Sequence, residues 1–228
     1  HLGLTFEPAL ADGALVDARK GSANYSLVLR GRAAHAGRAF ADGRSAILAA
    51  ADAALALAAL NDKREGVTFN VGSIDGGSAV NVVPDRAVLR FNARAPDAEA
   101  TAWAEAEVAR IAAAANARDG IVAHLHGGFT RPPKPINDQQ RTMAAWTHRA
   151  GAALGLDLKF QASGGVCEGN NLAAAGCPNI DTLGPCGGAL HSDQEFALIP
   201  SFTERAKLSF LMLAGVERGL FDVKSLRS

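Results

Sequence analysis

The chain has 228 residues, 48% of them hydrophobic, and its 23 Lys and Arg balance 23 Asp and Glu, so the formal net charge is zero. That length suits one large or two small domains, and the balanced charge argues against nucleic acid or a membrane surface as partner. No apolar run approaches the ~20 residues of a membrane-spanning helix. Three cysteines without a CxxC pair point to reduced thiols and the cytoplasm, with the periplasm as the alternative.

The chain opens on His1-Leu-Gly-Leu-Thr-Phe6, a strand already under way and without a starting Met, so these residues are expected to form the C-terminal portion of a longer protein. Residues 24–32 alternate apolar and polar, a strand signal. Asp42 is placed to cap an Ala/Leu-rich helix that runs to about Leu60. Residues 66–74 read as a second strand and, after a Gly-rich loop, 86–94 as a third. Asp97 opens a second helix to about Ala117, Gly120 closes it, and 121–126 make a fourth strand. The order β-α-β-β-α-β predicts a compact ferredoxin-like unit of about 110 residues, one sheet with both helices on one face.

Pro132-Pro-Lys-Pro135 then punctuates the chain. Residues 138–154 read as a helix, 156–161 as a strand, 170–175 as a short helix ended by Gly176, 179–183 as a strand and 201–219 as a long last helix. This alternation predicts an α/β domain with partly parallel pairing. Residues 1–20 group with 134–228, so the unit spanning 21–133 is an insertion within the α/β domain.

Chemistry concentrates at a few positions. Glu7 sits at a strand end, because Pro8 removes an N–H and ends regular pairing. His191 lies in a loop that Gly187 and Gly188 free to take unusual backbone angles. A carboxylate and an imidazole are both zinc ligands, although a zinc hydrolase takes three protein ligands and an open position. His35, after the first strand of the inserted unit, could donate to a developing oxyanion. Asn81 could present its amide to a substrate carboxylate, and Arg94 could bind one bidentately. Ser163, Gly164 and Gly165 precede a helix and could offer backbone N–H groups to an anion. Cys167 is a candidate nucleophile with His191 as base, against the plainer reading of a structural thiol. For each of these the plain alternative is turn chemistry or a solvated side chain.

Taken in order, Phe6-Glu-Pro8, Gly31-Arg-Ala-Ala-His-Ala-Gly37, Asn81-Val-Val-Pro84, Ala93-Arg94, Ser163-Gly-Gly165 and Gly184-Pro-Cys-Gly-Gly-Ala-Leu-His191 resemble the M20 family of zinc peptidases and deacylases, in particular its carboxypeptidase G and acetylornithine deacetylase branches. The resemblance implies part of a zinc-exopeptidase-type catalytic α/β domain (1–20 and 134–228) carrying an inserted lid and dimerisation domain (21–133). It implies two zinc ions in the complete enzyme, Glu7 ligating one and His191 the other. His35 would reach the partner subunit's site and stabilise the oxyanion. Asn81 and Arg94 would hold the terminal carboxylate of a small N-acyl amino acid or peptide-like substrate, with Arg94 favouring a glutamate-like group. Ser163 to Gly165 would line the substrate pocket. The implied reaction is hydrolysis of an amide bond by a homodimer formed through the lid; the alternative is a catalytically incomplete fragment that serves only as a dimerisation module. The family's Glu-Glu pair has no counterpart in this chain, and its hydroxyl-bearing Gly-Gly run is here Gly164-Gly-Val-Cys-Glu168.

Overall fold

A computed structural model describes residues 2–226; His1, Arg227 and Ser228 lie outside the described residues. In chain order the elements are β1 (Gly3–Leu4), β2 (Leu15–Arg19), β3 (Gly21–Arg30), β4 (Ala34–His35), α1 (Ala46–Ala58), β5 (Thr68–Gly76), β6 (Val82–Val83), β7 (Arg86–Ala95), α2 (Ala98–Asn116), β8 (Val122–Arg131), α3 (Asp138–Ala152), β9 (Phe160–Ser163), α4 (Glu168–Ala174), β10 (Asn179–Ile180), β11 (Gly187–Gly188), β12 (Phe196–Ala197) and α5 (Ile199–Glu217). They form two compact units, residues 1–20 with 132–228, and residues 21–131.

The 21–131 unit is built on one four-stranded sheet in the order β5-β7-β3-β8, every neighbouring pair antiparallel. Period-two alternation sends Tyr25, Leu27 and Leu29 of β3, and Leu89, Phe91 and Ala93 of β7, to one buried face. There they meet Ala49, Ala50, Ala53 and Leu57 of α1 and Ala100, Ala104, Val108 and Ile111 of α2. Small alanine side chains let the helices approach the sheet closely, and the Tyr25 and Phe91 rings stack at 5.1 Å between centroids. The even-numbered positions of β3 and β7 form the opposite, polar face.

α2 starts as its sequence predicts, with the Asp97 carboxylate accepting the Ala100 N–H at 2.8 Å. α1 does not. Asp42 lies in a 3-10 turn, Phe40–Asp42, and the cap is Ser45, whose Oγ accepts the Leu48 N–H at 3.2 Å. The cause is tertiary: Arg44 exchanges backbone hydrogen bonds with Arg32 at 2.9 and 3.0 Å, which holds this stretch extended until Ser45.

In the other unit the pairings are short. β1 pairs with β10 and β2 with β9, both parallel, while β11 and β12 pair antiparallel. α3 and α5 pack over a core that includes Leu15, Met143, Ile180, Leu183, Leu208 and Met212. The strand predicted over 156–161 begins only at Phe160, because β2 supplies partners from Phe160 to Ser163. The strand predicted over 179–183 stops at Ile180, since Thr182 takes a left-handed conformation at φ 64° and turns the chain away. Among the described residues no helix is long and apolar enough to cross a membrane.

Candidate functional site

β4 and β6 pair in the register His35 with Val82, and the Ala36 N–H donates to the Asn81 carbonyl at 2.9 Å, so His35 and Asn81 are neighbours. The Gly37 N–H donates to His35 Nδ1 at 3.1 Å. A ring nitrogen that accepts an N–H carries no proton, so the neutral ring is protonated on Nε2 and presents a donor there. Arg94 lies instead near the end of β7 in the four-stranded sheet, opposite Ser22 and Thr68, with its Nε donating to Asn92 Oδ1 at 3.2 Å. Along β7, Arg86 and Arg94 are eight residue steps apart, about 26 Å of strand. One chain therefore does not bring its own Asn81 and Arg94 onto a single carboxylate; Asn81, beside His35, comes ahead of the Arg86 end of β7, and Arg94 lies towards the other end.

In the second unit, the segment after β1 runs beside the segment that leads to His191. Ala9 bridges Cys186 in parallel, and the Gly184 N–H donates to the Glu7 carbonyl at 2.9 Å. A Cβ on Gly184 would lie 2.6 Å from the Phe6 carbonyl oxygen and 2.7 Å from that of Glu7, so only glycine permits this approach. The start of the His191 loop is anchored by the Cys186 N–H on Ser201 Oγ at 2.9 Å and by Arg205 Nη2 on Cys186 Sγ at 3.2 Å. Within the loop Ala189 and His191 both have positive φ, 55° and 64°, and the His191 N–H donates to the Glu195 carboxylate at 3.1 Å. Left-handed non-glycine residues cost of order 1–3 kcal/mol each and persist where surrounding contacts impose them. Among the described residues, no three or more His, Cys, Asp or Glu side chains group as a metal site. Glu7 and His191 thus supply suitable donors but do not by themselves complete the three-ligand site that a zinc hydrolase uses.

The Ser163–Gly165 loop rests on a buried charge network that sequence reading missed. Arg19 donates through Nε and Nη2 to the Asp181 carboxylate at 2.9 and 2.7 Å, and through Nη1 to the Gly165 carbonyl at 3.1 Å. Lys134 Nζ donates to the same carboxylate at 2.8 Å, and Ser163 Oγ accepts the Gly165 N–H at 3.1 Å. Arg19, Lys134 and Asp181 are 7%, 1% and 0% exposed. Burial alone would raise the Asp181 pKa, but hydrogen bonds and charge from Arg19 and Lys134 outweigh it and hold the carboxylate below its ordinary range. No local pattern marks these three residues, since they come from β2, the Pro132–Pro135 stretch and the position just after β10.

Cys167 caps α4, its Sγ accepting the Gly169 N–H at 3.3 Å while Asn170 Oδ1 accepts the Cys167 N–H at 3.0 Å. Burial, then the Asp181 carboxylate, push its pKa up. A buried thiol held in its neutral form is a poor nucleophile, which leaves Cys167 its structural reading.

The M20 peptidase dimerisation domain matches residues 17–120. The chain is 28% identical over 225 residues to carboxypeptidase G2 of Pseudomonas sp. (strain RS-16), covering 95% of this chain and 52% of the relative. It is 49% identical over 65 residues to one of the subunits of p-aminobenzoyl-glutamate hydrolase of Escherichia coli (strain K12), 28% of this chain and 15% of that protein. The solved structure of the Bacillus subtilis YXEP protein, a dinuclear metal binding peptidase of the M20 family, superposes with a TM-score of 0.69 at 18% identity over 94% of this chain and 56% of that one. The match over residues 17–120 and the relatives together support an M20 peptidase family member. It spans about half the length of carboxypeptidase G2.

Proposed function

We propose that this chain forms part of a metal-dependent amide hydrolase that acts on small N-acyl amino acids or peptide-like substrates ending in a glutamate-like carboxylate. The observation that carries this reading is His35: its Nδ1 is satisfied by the Gly37 N–H, which leaves Nε2–H as an exposed, oriented donor beside Asn81. Such a donor stabilises the oxyanion that forms when water adds to an amide carbonyl. Arg94, steadied by Asn92, offers a planar fork to the substrate carboxylate. The separation of Asn81 from Arg94 favours a site shared between two copies, one giving His35 and Asn81, the other Arg94. A dimer is also what an M20 dimerisation domain suggests.

Two relatives whose names denote a glutamate-conjugate hydrolase and a carboxypeptidase support the substrate class. Metal dependence is suggested by the dinuclear metal binding neighbour. Glu7 and His191 are the residues of this chain that would hold zinc, one ion each; a bound ion would polarise the scissile carbonyl. Ser163 to Gly165 would line the pocket, held by Arg19. The lack of a group of three ligands among the described residues favours a second reading, a dimerisation module without its own chemistry. A cytoplasmic site is proposed from the free thiols.

The test is hydrolysis of N-benzoyl-glutamate followed by release of the free amino acid. The hydrolase reading expects turnover that a chelator abolishes, and a loss of kcat/KM of about 100-fold in Arg94→Ala, the size expected for a lost charge-assisted pair. Self-association with neither turnover nor metal uptake would favour the module.

A further inference from the structure

The sheet face turned away from α1 and α2 is unevenly charged. On a chain of zero net charge, its outward positions carry Arg30, Arg86, Arg90 and Arg94 against one carboxylate, Asp75. Arg90 pairs with Asp75, and Arg86 lies 3.9 Å from Asp85, outside the strand. His124 and His126 of β8 share this face.

The centre of the face holds a shallow cavity of about 380 Å³. The register sets Asn70, Asn92 and Asn24 side by side across three strands, and the next row brings Arg90, Ser26 and His126 together. Asn92 ties the cavity to Arg94: its Oδ1 accepts from Arg94 Nε, and its Nδ2 donates to Asn24 Oδ1 at 2.9 Å. Arg90 and Arg94 stand four residues apart on one strand, about 13 Å between Cα atoms, both facing outward.

We infer that this cavity is a subsite next to Arg94 for a second acidic group of a longer substrate, an N-acyl glutamate extended through its side-chain carboxyl by at least one further amide-linked glutamate. The inference rests on the assignment of Arg94 to the substrate carboxylate. The extension's amide meets Asn24 and Asn70, which flank Asn92, itself engaged by Ser22, Ala23, Asn24 and Arg94, and its carboxylate meets His126 and Arg90, which it shares with Asp75. A nucleic acid fits less well, because Tyr25 and Phe91, the aromatic residues at the cavity, are buried and stack on each other and so offer bases no open ring. Membrane lipid fits less well too, since the cavity side chains Asn24, Ser26, Asn70, Arg90, Asn92 and His126 are polar.

The deciding experiment compares N-benzoyl-glutamate with N-benzoyl-γ-glutamyl-glutamate, and measures binding of free γ-linked triglutamate by calorimetry at low and high salt. The subsite predicts that kcat/KM favours the extended substrate about tenfold, that Arg90→Gln brings this ratio near one, and that the variant weakens triglutamate binding about tenfold. Equal rates on both substrates in the wild type, or a preference that survives Arg90→Gln, would overturn it. If neither substrate is hydrolysed, the hydrolase reading fails and binding alone decides the subsite. Salt-sensitive triglutamate binding that Arg90→Gln weakens then supports it, and no binding, or tighter binding of an oligonucleotide, overturns it.

Discussion

A methyl group at position 184 would lie 2.6 Å from the Phe6 carbonyl and 2.7 Å from that of Glu7, both rigid backbone atoms. Gly184→Ala must therefore push the Glu7 segment away from the segment leading to His191. The expected cost is about 1–3 kcal/mol of stability, with loss of metal uptake, read by urea unfolding and by metal content after dialysis. Asp181 is the second sensitive residue. Asp181→Asn leaves Arg19 and Lys134 buried without their counter-charge, which should cost about 3–5 kcal/mol. The pH dependence has a definite sign. The Asp181 carboxyl titrates lower in the folded chain than in the unfolded one, so its stabilisation is complete above the ordinary carboxylate pKa of about 4 and is lost as pH falls below that value. Urea titrations from pH 7 to pH 2 should show this loss in the wild type and a flatter profile in Asp181→Asn. Glu7, His35 and His191 were legible as candidates from flanking Pro and Gly residues. Asp181 was not, because its meaning lies in partners 162 and 47 positions away.

At the level of elements, Leu89 sits fully buried in the centre of β7, between β3 and β5 and beneath the helices. Leu89→Ala should cost about 2–5 kcal/mol, measured as a drop in the urea midpoint at unchanged slope. The long elements were legible because their signals are local: alternation in β3 and β7, and the Asp97 cap on α2. The start of α1 was not, since the Arg32–Arg44 backbone pairing that delays it joins residues from separate stretches of chain. The β2–β9 and β1–β10 pairings were hidden for the same reason. Each is set by a parallel partner more than a hundred residues away, and two-residue strands such as β1 and β10 are too short to show a period. The register also revealed what the motifs could not: Asn81 and Arg94, read from sequence as one clamp, lie apart, Asn81 before β6, ahead of the Arg86 end of β7, and Arg94 towards the other end of β7.

For the molecule as a whole, that separation means that a site needing His35, Asn81 and Arg94 needs two copies of the chain. Asn170 marks how the insertion is framed. Its buried amide nitrogen donates to the carbonyls of Lys20 and Pro132, the residues that flank the 21–131 unit, at 3.1 and 2.8 Å. The most direct measurement mixes His35→Ala and Arg94→Ala proteins after dissociation and reassociation, and assays N-benzoyl-glutamate hydrolysis. Each variant alone should be nearly inactive. The mixture should recover about a quarter of wild-type activity, because half of the random dimers are mixed and each has one intact site. A mixture no more active than its components would contradict a site shared between two copies.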